Sequence, residues 1–453
     1  MDESKFYKPE TTWKKYADKR PELEEFARKY IAFLSERKTE RETVAWIKER
    51  ARAASAAPDD EIFIRDLRGK AIFAFRRGER PLNEGLNIIA AHGDAPRLDF
   101  KQHPFVEISG VLQAKTHYYG GIRKYQWLAR PLALHGTLVL ETGSVINVNI
   151  GDKPGEPVFC VADLLPHLAQ KQSAQKVSDA FEGEKLNIIL AHEPAIETGE
   201  ESGKSKNPIK EKLLNYLFNK YGVQEEDFIT AELEAVPAGD ARFVGFDNSM
   251  IGGYGQDDRI CVFCGLEALL GVEKPRHSQA LMIWDKEEIG SDGATGASSR
   301  FFQYCAEDLA HEAGISPSEM FLNSRAISAD VTAALDPDYP EVHDKLNAAK
   351  LGYGPAFSKF TGSRGKYGAS EADAEFFASL RGILNSRGIP WQAAELGKVD
   401  LGGGGTVALF LAAFGMSVID LGPALLSMHS PFELSSAADL YATWEAYKAF
   451  YES

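Results

Sequence analysis

The spacing of apolar residues changes character along the chain, and each change predicts a different kind of element. Residues 20–55 carry apolar positions at helical spacing with charges opposite, as in "PELEEFARKYIAFLSERKT", and predict helices. "KAIFAFRRG" and "GLNIIAAHGDAPRLDF" then predict strands, the second running into a polar cluster. From about 102 to 238 the texture is β-like and short of long helices, in "PFVEISGVLQAKTHYYGG", "GTLVLETGSVINVNIG", "EPVFCVADLLPHLAQ", "LNIILAHEPAIETG" and "DFITAELEAVPAG". Within it, the polar run 197–212 predicts an exposed loop and "IKEKLLNYLFNKYG" a helix. After about 240 strands and helices alternate. "QALMIWDKEE", "SRAISADV", "PWQAAELG" and "MSVIDLG" predict strands. "RICVFCGLEALLG", "SSRFFQYCAEDLAHEAG", "ADAEFFASLRGILNSRG", "TVALFLAAFG" and "FELSSAADLYATWEAYKAFY" predict helices. The expectation is an α/β fold: a mainly parallel sheet flanked by helices, formed by residues 1–101 and 239–453, with a β-rich domain inserted at 102–238.

Composition narrows the partners. The chain has 453 residues, 44% hydrophobic and 26% charged, enough for a large core without disulfide staples. A net charge of −15 disfavours nucleic-acid backbones and anionic membranes, which need a positive surface. The charged start "MDESKFYKPETTWKKYADKR" is no signal peptide, and no run approaches the ~20 apolar residues of a membrane helix. Four cysteines, Cys160, Cys261, Cys264 and Cys305, are no disulfide scaffold and point to a reducing cytoplasm. "CVFC" lacks a second cysteine pair to complete a zinc site and reads as a buried helix face.

Five apolar strands end in chemistry-bearing residues. "IIAAHGDAPRLD" supplies His92 and Asp94, "GGYGQDDRICVF" Asp257 and Asp258, "IWDKEEIGSDG" Glu287 and Glu288, "AISADVTAALDP" Asp330, and "LLSMHSPFELSS" His429. A lone histidine or aspartate after a strand is usually structural or a helix cap. Five such ends offering only imidazole and carboxylate suit zinc, manganese or cobalt, in an open site rather than a closed cysteine cage. The inventory suffices for two divalent ions about 3.5–4 Å apart, with one carboxylate left over as a base.

"HGDAPRL", "GGYGQDDR", "DKEEIGSDGATGA", "ISADVTAALDP" and "SMHSPFE", in this order, resemble the dizinc aminopeptidases of metallopeptidase family 18, the family of aspartyl aminopeptidase and vacuolar aminopeptidase I, over nearly the whole chain. The resemblance implies that Asp257 bridges two metals, that His92 and Asp330 complete one and Glu288 and His429 the other, and that Glu287 is the general base. It implies that Asp94 orients the His92 imidazole. Asp258, at a position where some members carry Asn, stays outside the ligand set. His167, in "LLPHLAQ", corresponds to a histidine that reaches a neighbouring subunit's site and stabilises an oxyanion, and "HYYGGIRKYQW" to a loop near that interface. The inserted domain is then a dimerisation and substrate-access domain, and the assembly a dodecamer built from dimers.

Two loops bear on substrate. "GKVDLGGGGTVALFLAAFG" has no P-loop ending, and its glycines would let a substrate backbone approach closely. Arg364 and Lys366 in "TGSRGKYGAS" lie where the family grips an acidic side chain, or are solvated surface charge. The expected reaction is removal of the N-terminal residue of a peptide. An N-acyl amino acid deacylase or a carboxypeptidase with the same metal set is the alternative, and a scaffold that has lost its chemistry is a third reading, against which the full ligand set stands.

Overall fold

The computed structural model describes residues 9–55, 62–195 and 205–453. They divide into two compact units. The first comprises the chain up to Ala95, Ala241–Met428 and Phe432–Ser453; the second comprises Pro96–Asp240 and His429–Pro431.

The first unit is built on an eight-stranded sheet. From edge to edge its strands are Ile62–Leu67, Ala71–Arg76, Ser278–Trp284, Leu86–His92, Arg325–Ser328, Ser417–Gly422, Ala356–Ser358 and Gln392–Ala393. The four central strands, Ser278–Trp284 to Ser417–Gly422, are mutually parallel. Beyond them Ala71–Arg76, Ile62–Leu67 and Ala356–Ser358 join antiparallel, so the sheet is mixed, where the sequence predicts a mainly parallel one. The difference has a physical origin in the links: Ile62–Leu67 and Ala71–Arg76 are three residues apart, room only for a hairpin, whereas a parallel pair needs a long crossover.

Central strands read as continuous apolar runs because both faces are covered. In "LNIIAAH" and "SQALMIW" every residue is buried. Ile89, Ala91, Leu281, Ile283, Ile327 and Ile419 pack against the helices Arg20–Glu36, Gln256–Gly271 and Ala437–Tyr451. Their neighbours Ile88, Ala90, Met282, Trp284, Ala326 and Val418 face the opposite way, toward Phe301–Glu312 and Ala408–Ala412. Each fully buried Ile or Met side chain contributes roughly 1.5–3 kcal/mol, so the two layers fix the register that carries the site. Cys261 and Cys264 are completely buried in the first layer and make no disulfide.

Several boundaries differ from the sequence expectation. The strand through "QALMIWDKEE" stops at Trp284, and Glu287–Ile289 forms a single 3-10 turn. "PWQAAELG" keeps only Gln392–Ala393 as strand. The C-terminal helix starts at Ala437, with the Ser436 hydroxyl as its N-cap; Glu433–Ser436 before it is a strand, because it pairs with both Met250–Gly253 and Ala424–Leu426.

The second unit holds a seven-stranded antiparallel sheet, in the order Val145–Ile150, Leu132–Val139, Glu232–Pro237, Arg97–Ile108, Val111–Tyr119, Ile188–Ala191 and Cys160–Val161. Part of the predicted polar loop, 197–204, lies outside the described residues, as does the charged start 1–8. From Pro208 the same run is already helix, to Tyr221. Among the described residues no helix is long and apolar enough to cross a membrane.

Candidate metal centre

The parallel register brings His92, Glu287, Glu288 and Asp330 to one edge of the sheet, outside the carboxyl ends of the strands, where open α/β sheets place their sites. His92 is the last residue of its strand and sits opposite Trp284. Asp330 follows two residues after Ser328, which pairs with Ala90 on one side and Asp420 on the other. Asp257 and Asp258 enter at the start of the helix Gln256–Gly271, and the peptide between them is cis.

Donor atoms converge there. One from each of His92, Asp258 and Asp330 lie within 4.8 Å of one another, as do donors from His92, Glu287 and Glu288. His92 Nε2 is 3.2 Å from Asp257 Oδ1 and 3.8 Å from Glu287 Oε2. His92 Nδ1 lies 3.1 Å from the carbonyl oxygen of Asp94, an acceptor that fixes a proton on Nδ1 and turns Nε2 toward the cluster. The Asp94 carboxylate is 3.4 Å from the same nitrogen. Its main partners are elsewhere: Oδ1 accepts the backbone N–H of Glu287 and Oδ2 that of Glu288, each at 3.2 Å. Asp94 therefore orients the imidazole mainly through its backbone, while its side chain holds the glutamate turn.

That turn explains how adjacent residues serve one site. Lys286, before it, has a left-handed φ of 70°, and Gly290, after it, has φ 100°. The chain thus leaves strand geometry before Glu287, and strict alternation of side chains across the sheet no longer applies.

Electrostatics favours a cation. Burial pushes the Asp330 carboxyl well above its ordinary pKa, and the charges of Asp258 and Asp257 push further. Burial raises Asp258 in the same way, against the pull of His92. Burial alone would drive the His92 imidazole toward neutrality; the carboxylates of Asp257, Asp94 and Glu287 outweigh it and hold its pKa well above normal. Asp258 Oδ1 is buried without a hydrogen-bond partner. Crowded, desolvated carboxylates with an unsatisfied oxygen are what a divalent cation compensates, and imidazole with carboxylates is a donor set suited to zinc. The residues present fit such an ion.

Two residues to which the sequence assigns no role lie at the cluster. Asp258, left out of the ligand set, lies with His92 and Asp330, and its Oδ2 is 3.5 Å from the His92 backbone nitrogen. Glu433, quoted within "SMHSPFE" but given no role, accepts the backbone N–H groups of Gln256 at 2.5 Å and Asp257 at 3.3 Å, and so fixes the start of that helix. Four-residue spacing from His429 was its only signal.

His429 belongs to the three-residue piece that groups with the second unit. There its Nδ1 lies 3.1 Å from the carbonyl oxygen of Gly121 and its φ is 63°. His167 is exposed on a short turn, Pro166–Leu168, beside Leu164, Leu165 and Leu168, which are exposed too. The Gly-rich segment has a structural use that the sequence did not reveal: Gly362–Ser363 pairs with Gly403–Gly404, and a Cβ on Gly403 would stand 2.2 Å from the Gly362 carbonyl oxygen. Lys366 is engaged by Glu371 at 2.8 Å and by the Phe360 ring, while Arg364 is exposed.

A buried cluster of imidazole and carboxylates at the carboxyl ends of central parallel strands defines a class, the metal-dependent hydrolases built on an α/β sheet. The profile of the aminopeptidase I zinc metalloproteases (M18) matches residues 28–451. A probable M18 family aminopeptidase 1 from Thermotoga maritima is 47% identical over 447 residues, covering 96% of this chain and 97% of the relative. One from Clostridium acetobutylicum is 44% identical over 455 residues, 97% of each. A crystal structure of an M18 aminopeptidase from Thermotoga maritima superposes with a TM-score of 0.93 at 46% identity, over 99% of this chain and 100% of that one. Yeast aminopeptidase 1, at 22% identity and TM-score 0.74 over 95% of this chain and 97% of that one, shares the fold. The chain belongs to the M18 family of zinc metalloproteases and is a metallo-aminopeptidase, an exopeptidase that hydrolyses peptide bonds. This membership decides against the deacylase and carboxypeptidase readings.

Proposed function

We propose that the chain removes N-terminal residues from peptides with a dinuclear centre, for which Asp257 would be shared between the ions, His92 and Asp330 would hold one, and Glu288 and His429 would hold the other. The convergence of His92, Asp257, Glu287, Glu288 and Asp330 on one strand edge carries this reading. Chain connectivity supports His429: it stands between the strands Ala424–Leu426 and Glu433–Ser436, and Glu433 binds the backbone of Asp257. Zinc, or manganese or cobalt in its place, would supply Lewis acidity at the scissile carbonyl and acidify the attacking water.

The residues do the rest. Glu287 Oε2 takes the proton of the water and delivers it to the leaving amine. Asp94 keeps Glu287 and Glu288 in place through their backbone N–H groups. His167 donates a hydrogen bond to the oxyanion in a neighbouring subunit. Its exposed leucine surroundings support an interface there. We take residues 102–238 as a dimerisation and substrate-access domain, residues 1–101 and 239–453 as the catalytic domain, and the assembly as a dodecamer built from dimers, the S. cerevisiae mApe1 neighbour being a dodecamer. Four free cysteines support a cytoplasmic location.

The test is Glu287→Gln. The variant keeps its metal, counted by elemental analysis, and loses at least about 10³-fold in kcat. Normal turnover would remove Glu287 from the role of base.

A further inference from the structure

The glutamate turn is held from a second direction, by residues that the mechanism above does not use. Asp285, almost wholly buried, follows the strand Ser278–Trp284. Its Oδ2 accepts the Thr295 hydroxyl at 2.7 Å, and its backbone N–H donates to the Thr295 carbonyl at 3.2 Å. Two hydrogen bonds therefore join the ends of the loop 285–295 that carries Glu287 and Glu288. Lys286 Nζ adds a contact to the same Oδ2 at 3.3 Å. Inside the loop, the Ser291 N–H donates to the Lys286 carbonyl at 2.7 Å, and Ser298 closes onto the Ser291 carbonyl with its N–H at 3.1 Å and its hydroxyl at 2.9 Å.

We infer that Asp285 and Thr295 form a clamp that positions Glu287 for proton transfer, with Thr295 as the lock. The inference rests on the reading of Glu287 as the base. The Asp94 carboxylate fixes the backbone N–H groups of Glu287 and Glu288 from the site side. That hold acts on the two glutamates alone, near one end of the loop. The Asp285–Thr295 pair supplies a second fixed point, where the two ends of the loop meet. Thr295 is buried, and Asp285 Oδ1 has no hydrogen-bond partner, so loss of the Thr295 hydroxyl would leave the Asp285 carboxylate with Lys286 as its remaining side-chain contact. A buried carboxylate stripped of a donor re-orients to recover one, and the loop moves with it. A shift of about 1 Å in a reacting group costs about 10²-fold in rate.

The experiment compares the zinc-loaded enzyme with Thr295→Val, Thr295→Ser and Glu287→Gln. Thr295→Val keeps the shape and removes the hydroxyl; it is expected to lower kcat about 30- to 100-fold with KM within about twofold and metal content unchanged. Thr295→Ser restores the donor and is expected to return kcat to within about threefold of wild type. Hydrogen exchange of the amides of residues 287–291 in the Val variant is expected to quicken, with exchange elsewhere in the sheet unaltered. Wild-type kcat in Thr295→Val overturns the clamp, and so does a loss that Ser does not rescue, or one that tracks loss of metal or global unfolding. Full activity in Glu287→Gln instead overturns the base assignment, and is told apart because it needs no change at Thr295.

Discussion

The carboxylate of Asp94 accepts the backbone N–H of Glu287 at 3.2 Å, across 193 residues of sequence. The adjacent N–H of Glu288 goes to the other oxygen of the same group. One side chain therefore sets two neighbouring carboxylates, and the carbonyl of the same residue sets the His92 ring.

Asp94→Asn keeps the shape but turns an amide NH2 toward one of those N–H groups. Catalysis should fall about 10²-fold through misplacement of the turn. Stability should fall by about 1–3 kcal/mol for the donor left unsatisfied. Steady-state kinetics and urea unfolding measure the two; an unchanged kcat would deny Asp94 its hold on the turn.

Asp258→Asn removes a buried negative charge from the group it forms with His92 and Asp330. Retention of metal should weaken, by about 10- to 100-fold in affinity, as for other groups that support ligands. Competition with a coloured chelator reads this directly. Equal affinities would mean that Asp258 serves only packing.

Gly422→Ala tests how closely the sheet is built around a ligand. A Cβ there would stand 2.0 Å from the Asp330 carbonyl oxygen and 3.1 Å from Cys261 Sγ. The Asp330 backbone has to give way, so metal retained after dialysis should drop, with stability lower by about 1–3 kcal/mol from overpacking. Wild-type metal content would show that the backbone yields without moving the carboxylate.

Asp439 predicts a pH effect remote from the site. Its carboxylate accepts Gly352 N–H at 2.6 Å, Gly354 N–H at 2.7 Å and the Thr12 hydroxyl at 3.0 Å. Burial nevertheless raises its pKa from 3.8 to about 6, against the pull of the Gly354, Gly352 and Thr12 bonds. Between those values the folded state binds more proton than the unfolded state. This group's stabilisation is thus full below 3.8, declines as pH rises toward 6, and is lost above it, on the order of 3 kcal/mol at most. Asp439→Asn cannot titrate. From pH 4 to 6.5 wild type should lose stability relative to the variant, in paired urea titrations; parallel curves would contradict the shift.

Much of the site was readable because its residues punctuate apolar runs. His92 and Asp330 stand just where buried strands end, and period alone locates those ends. The mixed edges of the sheet were not readable, since pairing direction depends on connections between strands rather than on their own pattern. Glu433–Ser436 was mistaken for helix because "ELSS" precedes a true helical period without a break, and only its two strand partners decide the matter. The roles of Asp258 and Glu433 depend on contacts with His92 and with the backbone of Gln256, which no local spacing encodes. The glycines at 402–403 looked like room for a ligand; tertiary pairing makes them room for the chain's own backbone.

The order of strands in the central sheet also governs how the molecule can be made. Leu86–His92 is flanked by Ser278–Trp284 and Arg325–Ser328. At roughly 5–20 residues per second, the ribosome releases those neighbours on the order of ten to fifty seconds after His92 emerges. Until then an apolar strand waits without a mate, exposed to aggregation and to chaperones. A nascent chain therefore cannot digest its surroundings early: the hydrolytic centre comes into being only after Arg325–Ser328 has been made.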